Sequence, residues 1–254
     1  AWWDNNPHRA LANNSVSYTE KPDSVSFMRE WMALVESGSG ERGIFNREAS
    51  KKQAAKYGRR DSDWEFGTNP CSEIILRPYQ FCNLTEVVVR ATDDIESLSR
   101  KVRLATILGT IQSTYTKFPY LRKVWQRNTE EERLLGVSLT GIMDNPLMTT
   151  ANKGLEKTLE TLRKLAVDTN TLWADRLGIP ASAAITCVKP SGTVSQLVDS
   201  ASGIHARHSK YYIRTVRGDN KDPLTEFMKD QGVPSEPDVM KPDATTVFSF
   251  PVQS

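Results

Sequence analysis

The 254-residue sequence sets 33 Lys and Arg against 31 Asp and Glu, a formal net charge of +2, with 38% apolar and 25% charged residues. A balance so close to neutral excludes the one-sign footprint of a nucleic-acid binder, and no apolar run approaches the roughly 20 residues of a membrane span. Three cysteines do not make a secreted disulfide scaffold, and the length suffices for one large domain or two small ones, so a cytoplasmic protein with reduced thiols is expected.

No signal peptide opens the chain, which starts at Ala1 and stops at Ser254 just after a strand-like stretch; this reads as a partial sequence. In chain order, residues 23–37 carry Phe27, Trp31 and Leu34 at helical spacing behind Asp23, a helix with an N-cap. Residues 47–57 read as a short helix closed by Gly58, and the β-branched run 84–89 as a buried strand. A helix over 93–115 follows, with Ile95, Leu98, Val102 and Ala105 on one face. Residues 134–141 read as a strand, and 154–177 as a long helix striped by Leu155, Leu159, Leu162 and Leu165, stopped by Gly178 and Pro180. Strands are expected at 183–188, 211–217 and 245–252. Strands alternating with helices predict an α/β fold with parallel strands, the sheet being open or closed into a barrel.

The chemistry concentrates in "GTNPCSEIILRPYQFCNLTEVVV", residues 67–89. Cys71 and Cys82 stand eleven apart with no CxxC pair, and a zinc site would need two ligands from elsewhere, among Cys187, His8, His205 and His208. A Cys–His hydrolase needs a base nearby in space, to which nothing in the sequence points. Two buried, inert thiols are the plain alternative. Against it, Asn69, Cys71 and Glu73 alternate, so in an extended loop an amide, a thiol and a carboxylate face one way, suited to a polyhydroxylated ligand.

"NPCSE" followed by "FCNLTEVVV" resembles the finger loop of ribonucleotide reductases, in particular the adenosylcobalamin-dependent class. "GIFNREAS" (43–50), "RLLGVSLTGIMD" (133–144), "KPSGTVSQL" (189–197) and "GIHARHSKYYIRTVR" (203–217) are similar to successive blocks of its catalytic subunit, in order, so the resemblance covers residues 1–254. The wording of 73–90 is most similar to the monomeric, triphosphate-reducing type. The resemblance implies part of a ten-stranded α/β barrel with a central finger loop, the whole chain being one piece of the catalytic barrel. It implies that Cys71 becomes the thiyl radical, Glu73 the base at the 3′-hydroxyl, Asn69 a hydrogen-bond partner of the ribose hydroxyls and Cys82 half of the redox pair. It further implies adenosylcobalamin as cofactor, a ribonucleoside triphosphate as substrate, dNTP effectors and thioredoxin as reductant.

Ser191, Gly192, Thr193, Val194 and Ser195 follow a strand and open a helix, which is either a plain hydroxyl-capped helix start or, by the resemblance, the substrate-phosphate site. Cys187 is expected in the core. Lys51, Lys52, Arg59 and Arg60 are expected on a solvated face. Trp2 and Trp3 are read as core or interface aromatics, and His205 and His208 are left without a role. By the resemblance, the partner of Cys82 lies upstream of Ala1 and a C-terminal cysteine pair beyond Ser254, so this chain alone is expected to be inactive. Three other readings stand beside this one: a diphosphate reductase of the same class, a glycyl-radical enzyme, whose glycine loop is not found here, and a non-catalytic nucleotide-binding module.

Overall fold

The computed structural model describes His8 and residues 14–38, 43–151 and 153–253. Trp2 and Trp3 lie outside them. The chain groups into two units, residues 1–205 and 206–254.

In the first unit, β1 (Ser15–Tyr18) pairs in parallel with β2 (Gly43–Asn46) through α1 (Ser24–Ser37). The Asp23 side chain accepts hydrogen bonds from the Val25 and Ser26 amides, and Gly38 ends the helix at φ 59°. The expected stripe does not pack as a core: α1 has no buried residue, and Trp31 is 48% exposed. After α2 (Arg47–Ala55), capped by Asn46, the chain turns at Gly58, three residues past the shorter-than-expected helix end at Ala55. A small antiparallel hairpin follows, β3 (Gly67–Thr68) with β4 (Ile75–Leu76).

β5 (Asn83–Val88) and β6 (Leu135–Thr140) form a parallel pair, separated in sequence by α3 (Ile95–Gln112) and α4 (Lys123–Glu132). A capping box between Asp94 and Ser97 starts α3. Of its predicted stripe Leu98, Val102 and Ala105 are buried, whereas Ile95, on the first turn, is 43% exposed. With α5 (Lys153–Leu177), α3 covers one face of the pair: Val87, Val89, Leu135 and Val137 pack with Leu98, Val102, Leu162 and Ala166. In a strand alternate residues face opposite sides, so Leu84, Glu86 and Gly136 are left for the other face, where the site lies. Asn170 ties the two helices to the next segment, its amide donating to Thr110 Oγ1 (2.9 Å) and Ser182 Oγ (3.0 Å).

The expected strand 183–188 is only a bridge. Leu135 and Val137, two residues apart, donate to Ala184 and Ile185, which are adjacent (2.9 and 2.8 Å), so the ladder slips by one residue and pairing is left to Val137 and Thr186. A five-residue helix, α6 (Thr193–Leu197), comes after it.

In the second unit β7 (Tyr211–Asp219) and β8 (Ser235–Pro237) flank β9 (Thr245–Gln253), with α7 (Pro223–Asp230) between β7 and β8. This sheet is antiparallel, contrary to the parallel expectation. Over Tyr211–Thr215 the exposure of β7 alternates, as expected of a sheet with one solvated face, whereas parallel strands are covered on both.

Candidate functional site

Cys71 sits at the turn of the β3–β4 hairpin. Ser72 donates its amide to the Asn69 carbonyl (3.0 Å), Asn69 donates to the Ile74 carbonyl (3.3 Å), and the Ile74 amide returns to Asn69 Oδ1 (3.0 Å). The segment is therefore a tight turn, not the extended loop from which the alternation was argued. Ser72 holds φ at 63°, a conformation that costs a non-glycine residue energy and places strain beside Cys71. Within the turn Cys71 is exposed, while the Glu73 side chain is fully buried.

The Glu73 carboxylate reaches a residue 116 positions away. Lys189 Nζ donates to its Oε1 at 3.1 Å, while Oε2 is buried and accepts no hydrogen bond. Burial by itself would raise this carboxyl, but hydrogen bonding at its own backbone N–H, from the Asn69 side chain and from Lys189 outweighs burial and holds it below its ordinary value. Glu73 lines a cavity of about 920 Å³ with Ile74, Ser138, Thr186, Cys187 and Ile204.

Cys82 and Cys187 stand near this carboxylate. Burial, then the neighbouring Cys187 and Glu73, pushes the Cys82 thiol up; burial and Glu73 push Cys187 up to about 12. Both are thus held as thiols. Cys187 is not the core residue expected; it is half-buried and lines the cavity. Gly136 makes the room, for a β-carbon there would lie 2.4 Å from Leu84 Cδ2, 2.9 Å from Ile74 Cδ1 and 3.1 Å from Cys187 Sγ.

The Ser191–Ser195 loop is partly turned inward. Ser191 Oγ donates to Glu86 Oε2 (2.8 Å) and accepts from the Ser195 amide (3.2 Å), and Ser195 Oγ donates to the Gly192 carbonyl (2.7 Å). These two hydroxyls are spoken for. What faces outward is Gly192, Thr193 and Val194, and the amides of Thr193 and Val194, in the first turn of α6, have no acceptor within the helix.

Arg60 is the clearest departure from the sequence reading. Instead of joining a solvated face it is buried, with Nε and Nη2 donating to the two oxygens of Glu132 (3.0 and 2.9 Å) and Nη1 to the Ile75 carbonyl (2.8 Å). Lys51 and Lys52 stay on the surface side, as does Arg59. Gln80 donates to Glu132, and Arg77 lies over the Trp64 ring at 4.0 Å. This cluster pins both ends of the segment that carries Cys71. His205 is an exposed turn residue; His208, also exposed, meets the Tyr212 ring edge-on at 5.9 Å. Lys189, Glu86 and Arg60 were not singled out as site or framework residues from sequence. A lysine next to a Ser-Gly-Thr loop was visible, but its partner across 116 residues was not.

No family model matches the chain. It is 30% identical to the adenosylcobalamin-dependent ribonucleoside-triphosphate reductase of Lactobacillus gasseri and 30% to that of Lacticaseibacillus paracasei, in each case over 97% of this chain and 36% of the relative. The Lactobacillus leichmannii protein of the same name is 29% identical over the same shares. A crystal structure of a B-12 dependent (class II) ribonucleotide reductase superposes with a TM-score of 0.79 at 27% identity, covering 99% of this chain and 38% of that one. The chain thus spans about a third of the length of the curated relatives it matches. Over that span, sequence and α/β fold together relate it to the adenosylcobalamin-dependent ribonucleotide reductases.

Proposed function

We propose that this chain is part of the catalytic barrel of an adenosylcobalamin-dependent reductase that converts ribonucleoside triphosphates to 2′-deoxyribonucleotides. The observation that carries the reading is Glu73, a fully buried carboxylate with one oxygen unpartnered, two residues from an exposed thiol and lining a cavity. The similarity to triphosphate reductases supports it. The β3–β4 hairpin is then the tip of the finger loop, inside a ten-stranded barrel to which the unit of residues 1–205 contributes β5, β6 and the 183–188 segment.

Among the described cysteines Cys71 alone is exposed, so it fits the residue that would face the cofactor. Adenosylcobalamin, when bound, would supply the hydrogen-atom acceptor that turns the Cys71 thiol into a thiyl radical. The Cys71 sulfur then takes the ribose 3′-hydrogen. Glu73, kept as a carboxylate, accepts the 3′-hydroxyl proton at Oε2, and the Asn69 amide is the second group for the ribose hydroxyls. Loss of the 2′-hydroxyl as water consumes two electrons and two protons, taken from Cys82 and a second thiol upstream of Ala1, which end as a disulfide, after which Cys71 returns its hydrogen to C3′ and Glu73 its proton to the 3′-oxygen. The raised pKa of Cys82 suits it to delivering hydrogen rather than reacting as a thiolate. The triphosphate is held by the outward amides of Gly192, Thr193 and Val194 and the Thr193 hydroxyl; Ser191 and Ser195 shape that loop. Thioredoxin would reset the disulfide, dNTP effectors would act outside residues 1–254, and a reducing cytoplasm suits such thiols.

Reduction of CTP and CDP by the longer parent protein, with a dithiol and with or without adenosylcobalamin, tests this. Product that needs the cofactor, favours CTP and is lost in Cys71→Ser is expected, with no turnover from residues 1–254 alone. Cofactor-independent behaviour, with Cys71→Ser binding nucleotide like the parent, would leave a nucleotide-binding module instead.

A further inference from the structure

Glu73 must be ionised to accept a proton, yet it sits where solvent does not reach it. Desolvation favours the neutral acid, and an unpaired buried carboxylate would protonate in preference to staying charged. One cation touches it. Lys189 Nζ lies 3.1 Å from Oε1, with its own side chain 23% exposed, and leaves Oε2 free. We propose that Lys189 is the positioning residue of this site, holding Glu73 ionised and rotated so that its free oxygen faces the ligand.

The surroundings leave this role to Lys189. From the hairpin itself Asn69 and Cys71 are near, and neither is a cation. From just before β5 comes Cys82, from β5 Glu86, and from the bridge segment Cys187; each thiol is disfavoured as a thiolate by the Glu73 charge, and Glu86 adds negative charge on the Lys189 side. Arg60 acts on Cys82, but its guanidinium is engaged by Glu132 and the Ile75 carbonyl. Lys189 also sits two residues before Ser191, so the group that charges the base is carried by the loop proposed to hold the phosphates. A lysine there has a rival role, as a phosphate contact, and the two roles separate in kinetics.

The inference rests on the reductase reading, and the test is built in two arms. In the parent enzyme, Lys189→Met should lower kcat at neutral pH and move the acid limb of the pH–rate profile upward, with about tenfold less turnover on that limb and KM for CTP within about threefold. Lys189→Arg, which keeps a cation, should return the limb toward that of the parent. A raised KM with an unmoved acid limb would assign Lys189 to phosphate binding and overturn the proposal. The second arm needs no turnover: carbon-13 NMR of carboxyl-labelled glutamate in the cofactor-free parent enzyme, with Glu73 assigned by loss of its signal in Glu73→Gln. Glu73 should titrate at higher pH in Lys189→Met than in the parent chain. An unchanged titration overturns the proposal even if the enzyme reduces CTP. A shifted titration in a protein that reduces nothing upholds the pairing and sinks the reductase reading.

Discussion

Replacing Glu132 by Gln tests the framework beneath the hairpin. Arg60 and Glu132 have side chains 3% and 7% exposed, and the carboxylate receives both guanidinium nitrogens at 3.0 and 2.9 Å together with the Gln80 amide. An amide in its place accepts at one position only and sets an NH2 group against the guanidinium at the other. Arg60 would keep the Ile75 carbonyl (2.8 Å) and Gln80 Oε1 (3.3 Å) but lose its counter-charge. Arg77 gives no relief: it is itself a cation, bound to Glu131 and Asn128 at 2.8 and 2.7 Å, and at 4.0 Å from Glu132 it loses part of its own counter-charge. A buried ion left without its partner costs about 3–5 kcal/mol.

Urea unfolding followed by tryptophan emission reads this loss, since Trp64 lies against Arg77 in the same cluster. With a slope of about 2 kcal/mol per molar urea, the midpoint should fall by about 2 M with the slope unchanged. The double variant Arg60→Met, Glu132→Leu should regain most of it, because removing both charges leaves nothing buried and unpaired. A loss under about 1 kcal/mol in Glu132→Gln would mean that water reaches the pair, and the argument from burial would fail.

Gly136→Ala puts a methyl 2.4 Å from Leu84 and 2.9 Å from Ile74, next to Glu73, and should cost about 1–3 kcal/mol in the same unfolding experiment while disturbing ligand binding in the cavity. Alkylation with iodoacetamide at pH 8, mapped by peptide mass spectrometry, should modify exposed Cys71 first and leave Cys82 and Cys187 protected until the chain unfolds; equal labelling would contradict their burial and raised pKa values. Burial would raise Asp93, but Lys101, the Arg90 amide and Ser97 hold it below 3.8, so its stabilisation is present above that value and is lost as pH falls through the lower folded one. Asp93→Asn should therefore cost about 1.5–3 kcal/mol at pH 7, with the gap from the parent closing in strong acid; a pH-independent gap would refute the charge argument.

Local chemistry made the helices legible. Asp23 announced one helix start by its capping, and the Leu98, Val102, Ala105 spacing predicted the face that α3 buries. Strand pairing was less accessible, because it depends on partners distant in sequence. The run at 183–188 has strand composition, yet the one-residue slip against β6 comes from backbone bonds that no propensity encodes. The second unit failed for a related reason: alternation of helix and strand suggests parallel order, but the half-solvated faces of β7 and β9 permit an antiparallel sheet around one short helix.

The site shows the same division. Its residue types were readable in a single stretch, 67–89, because thiol, carboxylate and amide lie close in sequence there. Its electrostatics were not, since each decisive partner arrives from far along the chain: Lys189 onto Glu73, Ser191 onto Glu86 and Glu132 onto Arg60, at separations of 116, 105 and 72 residues. The misreading of Arg60 follows directly. An arginine in a run with Arg59, Lys51 and Lys52 looks solvated until a carboxylate on α4 is brought against it, and a charge that is paired and hydrogen-bonded in this way can be buried. The hairpin is held at Ile75 by that pair and at Glu73 by Lys189, so the arm that leaves Cys71 is fixed at two points by charges that the linear order conceals. A strained, exposed thiol keeps its position only if the backbone beside it is anchored, which is why the framework variants bear on the chemistry as well as on stability.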